Sequence, residues 1–412
     1  MGKESSRPGA VSQVIVIGGG AAGLFAALSV REHHPHVRVV LLEKGARPLD
    51  KVRISGGGRC NVTHDCRDLR RLAAHYPRGE RFLRKAFRHF AVADTIAWFR
   101  DRGVELKTEP DGRMFPTTDD SGTIVDALTS AADRAGVEVR LRCPVTALEP
   151  QGSRWVVRTP EGELQADRVI VASGGSPKRE GLQWLADLGH AVVDPVPSLF
   201  TFNLPGDPIT KLMGVVADPV TVHIAGTKLS STGPLLVTHW GLSGPAVLRL
   251  SAWGARELQE RGYRYTVRID WTGGLGELPV RERLRDLRDT QARKLLRNAD
   301  PFGLPARLWA FLLERAGVNE ATVCAELPRK DLDRLVDVLV NDLHEARGKT
   351  TFKEEFVTAG GVALSEVDPD TLASRRAPGL YFAGEVLDID GITGGFNFQA
   401  AWTTGWIAGR LA

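Results

Sequence analysis

The sequence has few cysteines and no long apolar run. Its 412 residues include four cysteines, Cys60, Cys66, Cys143 and Cys324, which are scattered rather than grouped. Such usage is typical of a reducing compartment, so we expect a cytoplasmic protein without a disulfide framework. No stretch of about twenty consecutive apolar residues is present, so no membrane span and no membrane partner is predicted.

Strong net charge and repetition are also lacking. Lys and Arg number 54 and Asp and Glu 50, so the net charge of +4 does not indicate a nucleic-acid partner by itself. We find no internal repeat or low-complexity tract. Residues 1–12 lack the apolar core of a secretory signal, and we expect a short disordered leader there. The hydrophobic content of 42% is typical of globular proteins, and 412 residues are enough for two or three domains.

A strand, a glycine turn and a helix follow this leader. The β-branched run "VIVI" stops at "GGGAAG" and leads into a helical pattern. Gly18, Gly20 and Gly23 match G-x-G-x-x-G, in which the glycines permit a tight turn, a close approach of pyrophosphate, and helix–strand packing. The second strand, "VRVVLLE", ends in Glu43, at the spacing where a carboxylate receives a ribose hydroxyl. These features predict a dinucleotide site; a glycine-rich turn of another α/β fold is the alternative.

A second candidate element stands in "GLYFAGEVLDIDGITGGFNFQAAWTTGWIAG" near the C-terminus. A strand runs into Gly384 and Glu385, and a loop containing Gly391, Gly394 and Gly395 precedes a helix. The partial positive charge of a helix N-terminus can hold the electron-rich edge of a reduced flavin. The alternative is a βα unit that only closes the sheet.

The stretch "KVRISGGGRCNVTH", residues 51–64, contains three consecutive glycines, so part of its backbone has no side chains. A flat flavin ring must be approached by backbone, and Gly56–Gly58 remove each Cβ that would hold the backbone away. We expect Lys51, Arg53 and Arg59 to meet the pyrophosphate or the reduced ring.

These segments, together with "THWGLSGPAVL", resemble the BaiN/RdsA-type flavoproteins, once called aminoacetone-oxidase-like, which are NAD(P)/FAD-dependent oxidoreductases. The resemblance covers nearly the whole chain and is closest to a less characterised branch. It implies an α/β fold with a Rossmann-like FAD-binding domain built from both chain ends. It also implies reduction of a carbonyl-conjugated C=C bond, as in an enone or in the uracil of ribosomal RNA.

The resemblance implies FAD as the resident cofactor, and we predict no metal site. NAD(P)H is expected to visit only transiently, because "VASGGSPK" lacks a second complete glycine fingerprint. The residues expected to contact FAD are Gly18, Gly20, Ala21, Ala22, Gly23, Glu43, Lys44, Arg53, Ser55, Gly57, Gly58, Arg59, Cys60, Asn61, Val145, Gly174, Gly384, Glu385, Gly394, Gly395, Phe396 and Asn397.

Changes of pattern along the chain agree with inserted domains. We predict an FAD-binding domain over 13–195 and 352–412. Short strand-like runs separated by Gly and Pro predict a small β-domain over 196–278, which the resemblance implies is β-barrel-like. Apolar residues at three- and four-residue spacing predict a helical domain with three helices over 279–351.

The thiols and histidines leave the proton donor open. Cys60 is either the acid that protonates the second carbon of the C=C bond or a small buried packing residue. His64 and His239 are rival acids. Cys60 and Cys66 are also the candidate redox pair of a disulfide reductase, although five residues separate them where such pairs have four.

A third hypothesis is an RNA-binding flavoprotein that modifies uridine. Residues 67–88 hold eight Lys or Arg against two Asp or Glu, and residues 281–297 hold seven against three. Such runs are commonly solvated helix faces, and RNA binders also need exposed aromatics. The substrate is therefore either a small molecule or uridine in RNA, and the sequence leaves the oligomeric state open.

Overall fold

The computed structural model describes residues 11–350 and 357–412. The predicted leader lies outside these residues except for its last two positions. The described chain forms two compact units, the first within residues 1–198 and 353–412 and the second within 199–352. Among the described residues there is no helix whose length and hydropathy would let it cross a bilayer.

The first unit is built on a parallel sheet, with smaller antiparallel sheets beside it. Its strands are β1 (Gln13–Ile17), β2 (Arg38–Leu42), β3 (Thr63–His64), β4 (Leu106–Thr108), β5 (Arg113–Pro116), β6 (Glu138–Arg140), β7 (Ala147–Gln151), β8 (Arg154–Thr159), β9 (Gly162–Ala166), β10 (Arg168–Val171), β11 (Val192–Ser198), β19 (Val357–Val362) and β20 (Leu380–Phe382). The five parallel strands have the order β20-β10-β1-β2-β6. The central ones are continuous runs of buried aliphatic residues, as expected for a parallel sheet covered on both faces. Two antiparallel sheets, β3-β5-β4 and β7-β8-β9, and the pair β11-β19 complete the unit.

Two helices from opposite ends of the chain pack closely in this unit. The first follows β1 and the last ends the described chain. A Cβ added at Gly405 would lie 2.6 Å from the Ala22 carbonyl oxygen, so these helices approach at backbone distance. The Phe25 and Trp402 rings, 5.3 Å apart, fill the adjoining space. The helices of the unit are α1 (Ala21–His33), α2 (Asp50–Gly58), α3 (Leu69–Ala73), α4 (Glu80–Ala86), α5 (Val92–Arg100), α6 (Ser121–Arg134), α7 (Gln183–Asp187) and α13 (Phe396–Gly409).

The second unit combines an antiparallel sheet with helices. Its elements are β12 (Thr201–Asn203), β13 (Val216–Ile224), β14 (Ser230–Thr238), β15 (Gly241–Ser243), α8 (Pro245–Trp253), α9 (Ala255–Glu260), β16 (Arg264–Asp270), α10 (Glu277–Thr290), α11 (Ala306–Arg315), α12 (Arg329–Asn341), β17 (Asp342–Arg347) and β18 (Lys349–Thr350). The sheet has the order β17-β16-β13-β14-β15-β12-β18. The three helices predicted after residue 279 are present, but they do not form a domain of their own. Their apolar faces share one hydrophobic core with the sheet, in which Trp271 and Trp309 are both fully buried.

Candidate active site

Four parallel strands of the first unit end at one edge of the sheet, and a candidate residue follows each of them. Gly18 follows β1, Glu43 follows β2, Gly174 follows β10, and Gly384 follows β20. Because the carboxyl ends of parallel strands share an edge, the fold itself gathers these residues. That edge is where open α/β sheets bind their ligands.

The turn between β1 and α1 is shaped for close backbone approach. A Cβ at Gly23 would lie 1.8 Å from the Gly18 carbonyl oxygen, so the helix must have glycine there. Gly20 is different, because a Cβ added to it would meet nothing within 4 Å. The first turn of α1, with Ala21 and Ala22, therefore leaves its backbone N–H groups facing an open cradle of the kind that binds phosphate.

Glu43 holds this cradle from the neighbouring strand. Its Oε2 accepts a hydrogen bond from the Gly19 N–H and its Oε1 accepts one from the Gly45 N–H, both at 2.6 Å. Lys44, the next residue, is exposed. The Cys143 N–H donates to the Glu43 carbonyl oxygen, and Val145, two residues after Cys143, is half-buried. The carboxylate thus lies at the mouth of the turn.

The second glycine segment is a left-handed loop. Helix α2 leaves helical geometry at Ser55, whose φ and ψ are −62° and 150°. Gly56, Gly57 and Gly58 follow with φ of 60°, 69° and 84°. A Cβ at Gly57 or Gly58 would meet nothing within 4 Å, so this backbone is open on one side. An open, side-chain-free backbone suits a flat ring.

The three cations near this loop have different environments. Arg53 has a buried Nε without a hydrogen-bond partner among the described residues, so it offers an unused donor at the site. Lys51 pairs with Glu385 at 2.9 Å. Arg59 is bound to Glu109 at 2.7 Å and does not stand free beside the loop. The unused donor and the two open glycine backbones fit an anionic cofactor with a flat ring.

The C-terminal loop closes against both glycine segments. Gly384 lies beside the first turn of α1, where an added Cβ would be 2.7 Å from the Ala22 methyl group. With its amide oriented to satisfy both ends, Asn61 accepts from the Gly395 N–H at 3.0 Å and donates to the Thr63 carbonyl oxygen at 3.0 Å. The structure therefore brings the predicted residues from both chain ends together.

Asn397 holds the loop and does not extend a free side chain. Its amide accepts from the Gly391 N–H at 2.8 Å and donates to the Gly391 carbonyl oxygen at 2.9 Å. This reciprocal pair closes the turn that contains Gly394. A ligand here can therefore be contacted by the backbone at the start of α13, where Phe396 follows Gly395, and not by the side chain of Asn397.

The structure restricts the predicted thiol chemistry. Cys60 is fully buried, and burial raises the pKa of its thiol to about 12. Burial also raises the pKa of Cys66, and all four cysteines are free. A nucleophilic redox cysteine needs an accessible, stabilised thiolate, so this environment counts against a Cys60–Cys66 pair.

The two candidate histidines lie in different units. His64 donates from Nδ1 to the Gly394 carbonyl oxygen at 3.1 Å, and its ring stacks on Phe396 with centroids 4.6 Å apart. His239 belongs to the second unit, where it is exposed after β14 and meets the Trp240 ring edge-on. His64 thus packs against the C-terminal glycine loop and the start of α13, within the first unit.

Several residues at the site carry no sequence signal. His75 stacks on Phe396 with centroids 4.3 Å apart, and the Tyr76 hydroxyl donates to the Phe396 carbonyl oxygen at 2.6 Å. Glu109 and Phe115 hold Arg59. These contacts join distant parts of the chain and lie outside any glycine motif, so sequence reasoning does not identify them.

Comparisons with known proteins agree with this fold. The family model described as "HI0933-like protein Rossmann domain" matches residues 12–411. The 3-dehydro-bile acid delta(4,6)-reductase of Clostridium scindens is 29% identical, covering 98% of this chain and 99% of its own. The ribosomal RNA dihydrouridine synthase of Haemophilus influenzae is 30% identical, covering 96% and 97%.

Among solved structures, 3-ketosteroid delta1-dehydrogenase from Sterolibacterium denitrificans shares the fold, with a TM-score of 0.51. Its sequence identity is 14%, and the match covers 96% of this chain and 98% of that chain.

Proposed function

The chain belongs to the HI0933-like Rossmann-domain family, and from this premise we propose that this FAD-dependent oxidoreductase uses NAD(P)H to reduce a carbonyl-conjugated C=C bond. The observation that carries the proposal is the meeting of two side-chain-free backbones, the open loop Gly57–Gly58 and the α13 N-terminus, linked through Asn61. The activities for which the two relatives are named, a delta(4,6)-reductase and a dihydrouridine synthase, support the same reaction class.

We assign the cofactor contacts as follows. The N–H groups of the first turn of α1 and the open face of Gly20 bind the pyrophosphate, and Glu43 receives the ribose. The Arg53 Nε donates to the cofactor, since burial leaves it no other described acceptor. The loop Gly56–Gly58 lies against the ring. FAD supplies hydride transfer when it is bound.

The proton for the second carbon has to come from another group. The buried thiol of Cys60, with a pKa of about 12, is poorly placed for this role, and we assign it to packing. His64 lies beside Gly394 and Phe396 and is our preferred donor in the first unit. His239 remains the alternative proton donor. Substitution of His64 and of His239 by Gln tests these two assignments.

The reaction class is tested with a panel of acceptors. The flavin released by heating should be FAD and not FMN, because FMN lacks the ADP half that Glu43 and the first glycine turn bind. Anaerobically reduced enzyme should then be reoxidised by an enone or by uridine-containing RNA, with the saturated product detected by mass. Reoxidation by oxygen alone would argue for an oxidase instead.

A second candidate substrate, uridine in RNA, is favoured by one surface. Helices α3 and α4 and the segment after α4 carry exposed cations that make no ion pair with the described residues. The aromatic side chains in the same region are buried, namely Tyr76, Phe82 and Trp98. Phosphate contacts, and not base stacking, would therefore supply the binding. The cations are Arg70, Arg71, Arg81, Arg84, Lys85 and Arg88.

Salt dependence separates the two substrates. If RNA is bound, its affinity should fall steeply with salt, and replacing Arg81, Arg84 and Lys85 by Ala should reduce the salt slope by about one for each phosphate that is no longer neutralised. The matched control replaces Arg283, Arg285 and Arg288 on α10, where Arg283 already stacks on Phe302. An equal fall in RNA affinity in both triple variants would reject a specific RNA face.

We also propose a cytoplasmic location. The four cysteines are all free, and free thiols persist in a reducing compartment. Fractionation of cells that express the tagged protein tests this location, and recovery from the periplasm or the medium would contradict it.

A further inference from the structure

The antiparallel hairpin of β4 and β5 contacts the segment of the glycine loop and the ring of His64, which in turn bonds Gly394 before α13. The Val62 N–H donates to the Met114 carbonyl oxygen at 2.9 Å, which ties the chain after the glycine loop to β5. At the hairpin turn, the Asp65 N–H donates to the Gly112 carbonyl oxygen at 2.8 Å. A Cβ at Gly112 would lie 2.5 Å from the His64 Nε2, so this turn also seats the His64 ring.

Arg59 fastens the glycine loop to this hairpin. Its guanidinium donates to Glu109 at 2.7 Å and to Asp119 at 3.4 Å, and it lies over the Phe115 ring, 4.0 Å from the centroid. The hydrogen bond to Glu109 raises the pKa of Arg59. The guanidinium of Arg59 is thus engaged by two carboxylates and by an aromatic face. It is therefore poorly placed to bind a phosphate.

The segment needs such a fastening because it ends in a strained residue. Gly56–Gly58 adopt positive φ without strain, but the non-glycine residue Cys60 has φ of 59°. A non-glycine residue stays in this left-handed conformation only where surrounding contacts hold it. Phe115 supplies one of these contacts, since its Cε1 would lie 3.1 Å from a Cβ at Gly56. The same ring therefore supports the loop directly and through Arg59.

We propose that Arg59 is a positioning residue that sets the spacing between the glycine loop and the start of α13. The hairpin connects the two segments: Arg59 binds Glu109 in the hairpin turn and stacks on Phe115 of β5, and Gly112 of the same turn seats His64, which donates to Gly394. This inference rests on the proposed function, because the spacing matters only if a flavin ring lies between the two backbones. It replaces our expectation that Arg59 binds the cofactor itself.

Arg59→Lys in the flavin-loaded protein tests the inference, since lysine keeps the charge but loses the fork and the flat stack. The dissociation constant for FAD should change by less than about threefold, because the ADP half is bound elsewhere. The visible circular dichroism of the flavin should change, and flavin reduction by NAD(P)H should slow by about tenfold. Glu109→Gln should move both readouts in the same direction.

Arg47→Lys is the matched control, because Arg47 pairs with the exposed Asp50 at 2.6 Å near the same loop. This control should leave the dichroism and the reduction rate at parent values. Arg59→Lys indistinguishable from the control would overturn the inference. A loss of FAD affinity above about tenfold with normal residual dichroism would also overturn it, in favour of Arg59 as a phosphate ligand. A parent protein that binds no FAD would instead overturn the proposed function, and this inference with it.

Discussion

At the scale of single residues, burial decides which candidates can take part in chemistry. The sequence allows Cys60 to be an acid or a packing residue, and its fully buried thiol with a pKa of about 12 favours packing. The sequence places Arg59 at the cofactor, but its guanidinium is bound by Glu109. The residue type alone predicts neither environment, because burial of Cys60 and the bond between Arg59 and the distant Glu109 both arise only on folding.

The two cysteines nearest the site give a direct test. We expect Cys66→Ser to leave turnover unchanged and Cys60→Ser to spare both half-reactions, since the Ser55 side chain that bonds the thiol can also bond a hydroxyl. Rapid-reaction kinetics would measure each half separately. A second half-reaction slowed by about 10²- to 10⁴-fold in Cys60→Ser would restore it as the acid. A thiolate–flavin charge-transfer band in the parent, lost in Cys66→Ser, would favour the disulfide mechanism.

Glu43→Ala should weaken FAD binding by about 10- to 100-fold, because charged hydrogen bonds to the Gly19 and Gly45 N–H groups disappear together with the proposed bond to the ribose. Glu43→Gln, which keeps one oxygen acceptor, should lose less affinity. FAD titration measures both variants. The residual bound flavin should have a normal spectrum, and a shifted spectrum would contradict our placement of Glu43 away from the ring.

At the scale of elements, Gly20 and Gly23 at the start of α1 are glycines for different reasons: Gly20 leaves space for a ligand, and Gly23 leaves space for the protein's own backbone. We expect Gly20→Ala to fold normally but to lose at least about tenfold in FAD affinity, because its Cβ meets no protein atom and instead fills the cradle. Gly23→Ala should destabilise the protein by about 1–3 kcal/mol, because its Cβ would meet the Gly18 carbonyl oxygen at 1.8 Å. Thermal unfolding without flavin and FAD titration separate the effects. Equal thermal destabilisation of both variants would contradict this account.

Elements with a local signal are predictable from the sequence. The turn after β1 and the acid after β2 follow from spacing within one βαβ unit, and both lie where the sequence predicts. The contact between Asn61 and Gly395 joins the two chain ends and can be inferred only from the family resemblance. The hairpin that carries Glu109 has no counterpart in the sequence-based prediction, because ion pairs between distant segments leave no periodic pattern.

At the scale of the whole molecule, the inserted segment shows what periodicity cannot supply. The spacing of apolar residues predicts the helices α10, α11 and α12, but it does not say which surface their apolar faces cover. In the structure α12 packs on β16 and β17, and α10 and α11 pack on α12, so the helices and the sheet share one core within one compact unit.

A buried charge cluster makes the stability of this unit depend on pH. His344 donates to Asp207 at 2.7 Å and to Asp342 at 2.9 Å, and Asp342 also accepts from Arg315 and Trp271. Burial opposes the charge of His344, but the two carboxylates outweigh it and raise its pKa from 6.5 to about 9.

The protonated His344 stabilises the unit fully below about pH 6.5, and the contribution is lost as pH rises through about 9, since the folded state then releases the proton it holds. We expect the free energy of unfolding to fall by on the order of 3 kcal/mol over this window. Urea unfolding measures it, with His344→Gln as the control that lacks this slope. A parent free energy that stays constant or rises through the window would contradict the assignment.

The claim that this enzyme reduces a conjugated C=C bond is tested most directly with a matched pair of acceptors. Stoichiometrically reduced enzyme is mixed anaerobically with an enone and, separately, with the allylic alcohol of the same carbon skeleton, while the visible absorption of oxidised flavin is followed. The account predicts rapid reoxidation and a saturated ketone with the enone, and no reoxidation with the alcohol, because only the carbonyl polarises the double bond for hydride transfer. Equal reoxidation rates with the enone and the alcohol would contradict this account. Reoxidation by a disulfide, but by neither the enone nor the alcohol, would also contradict it.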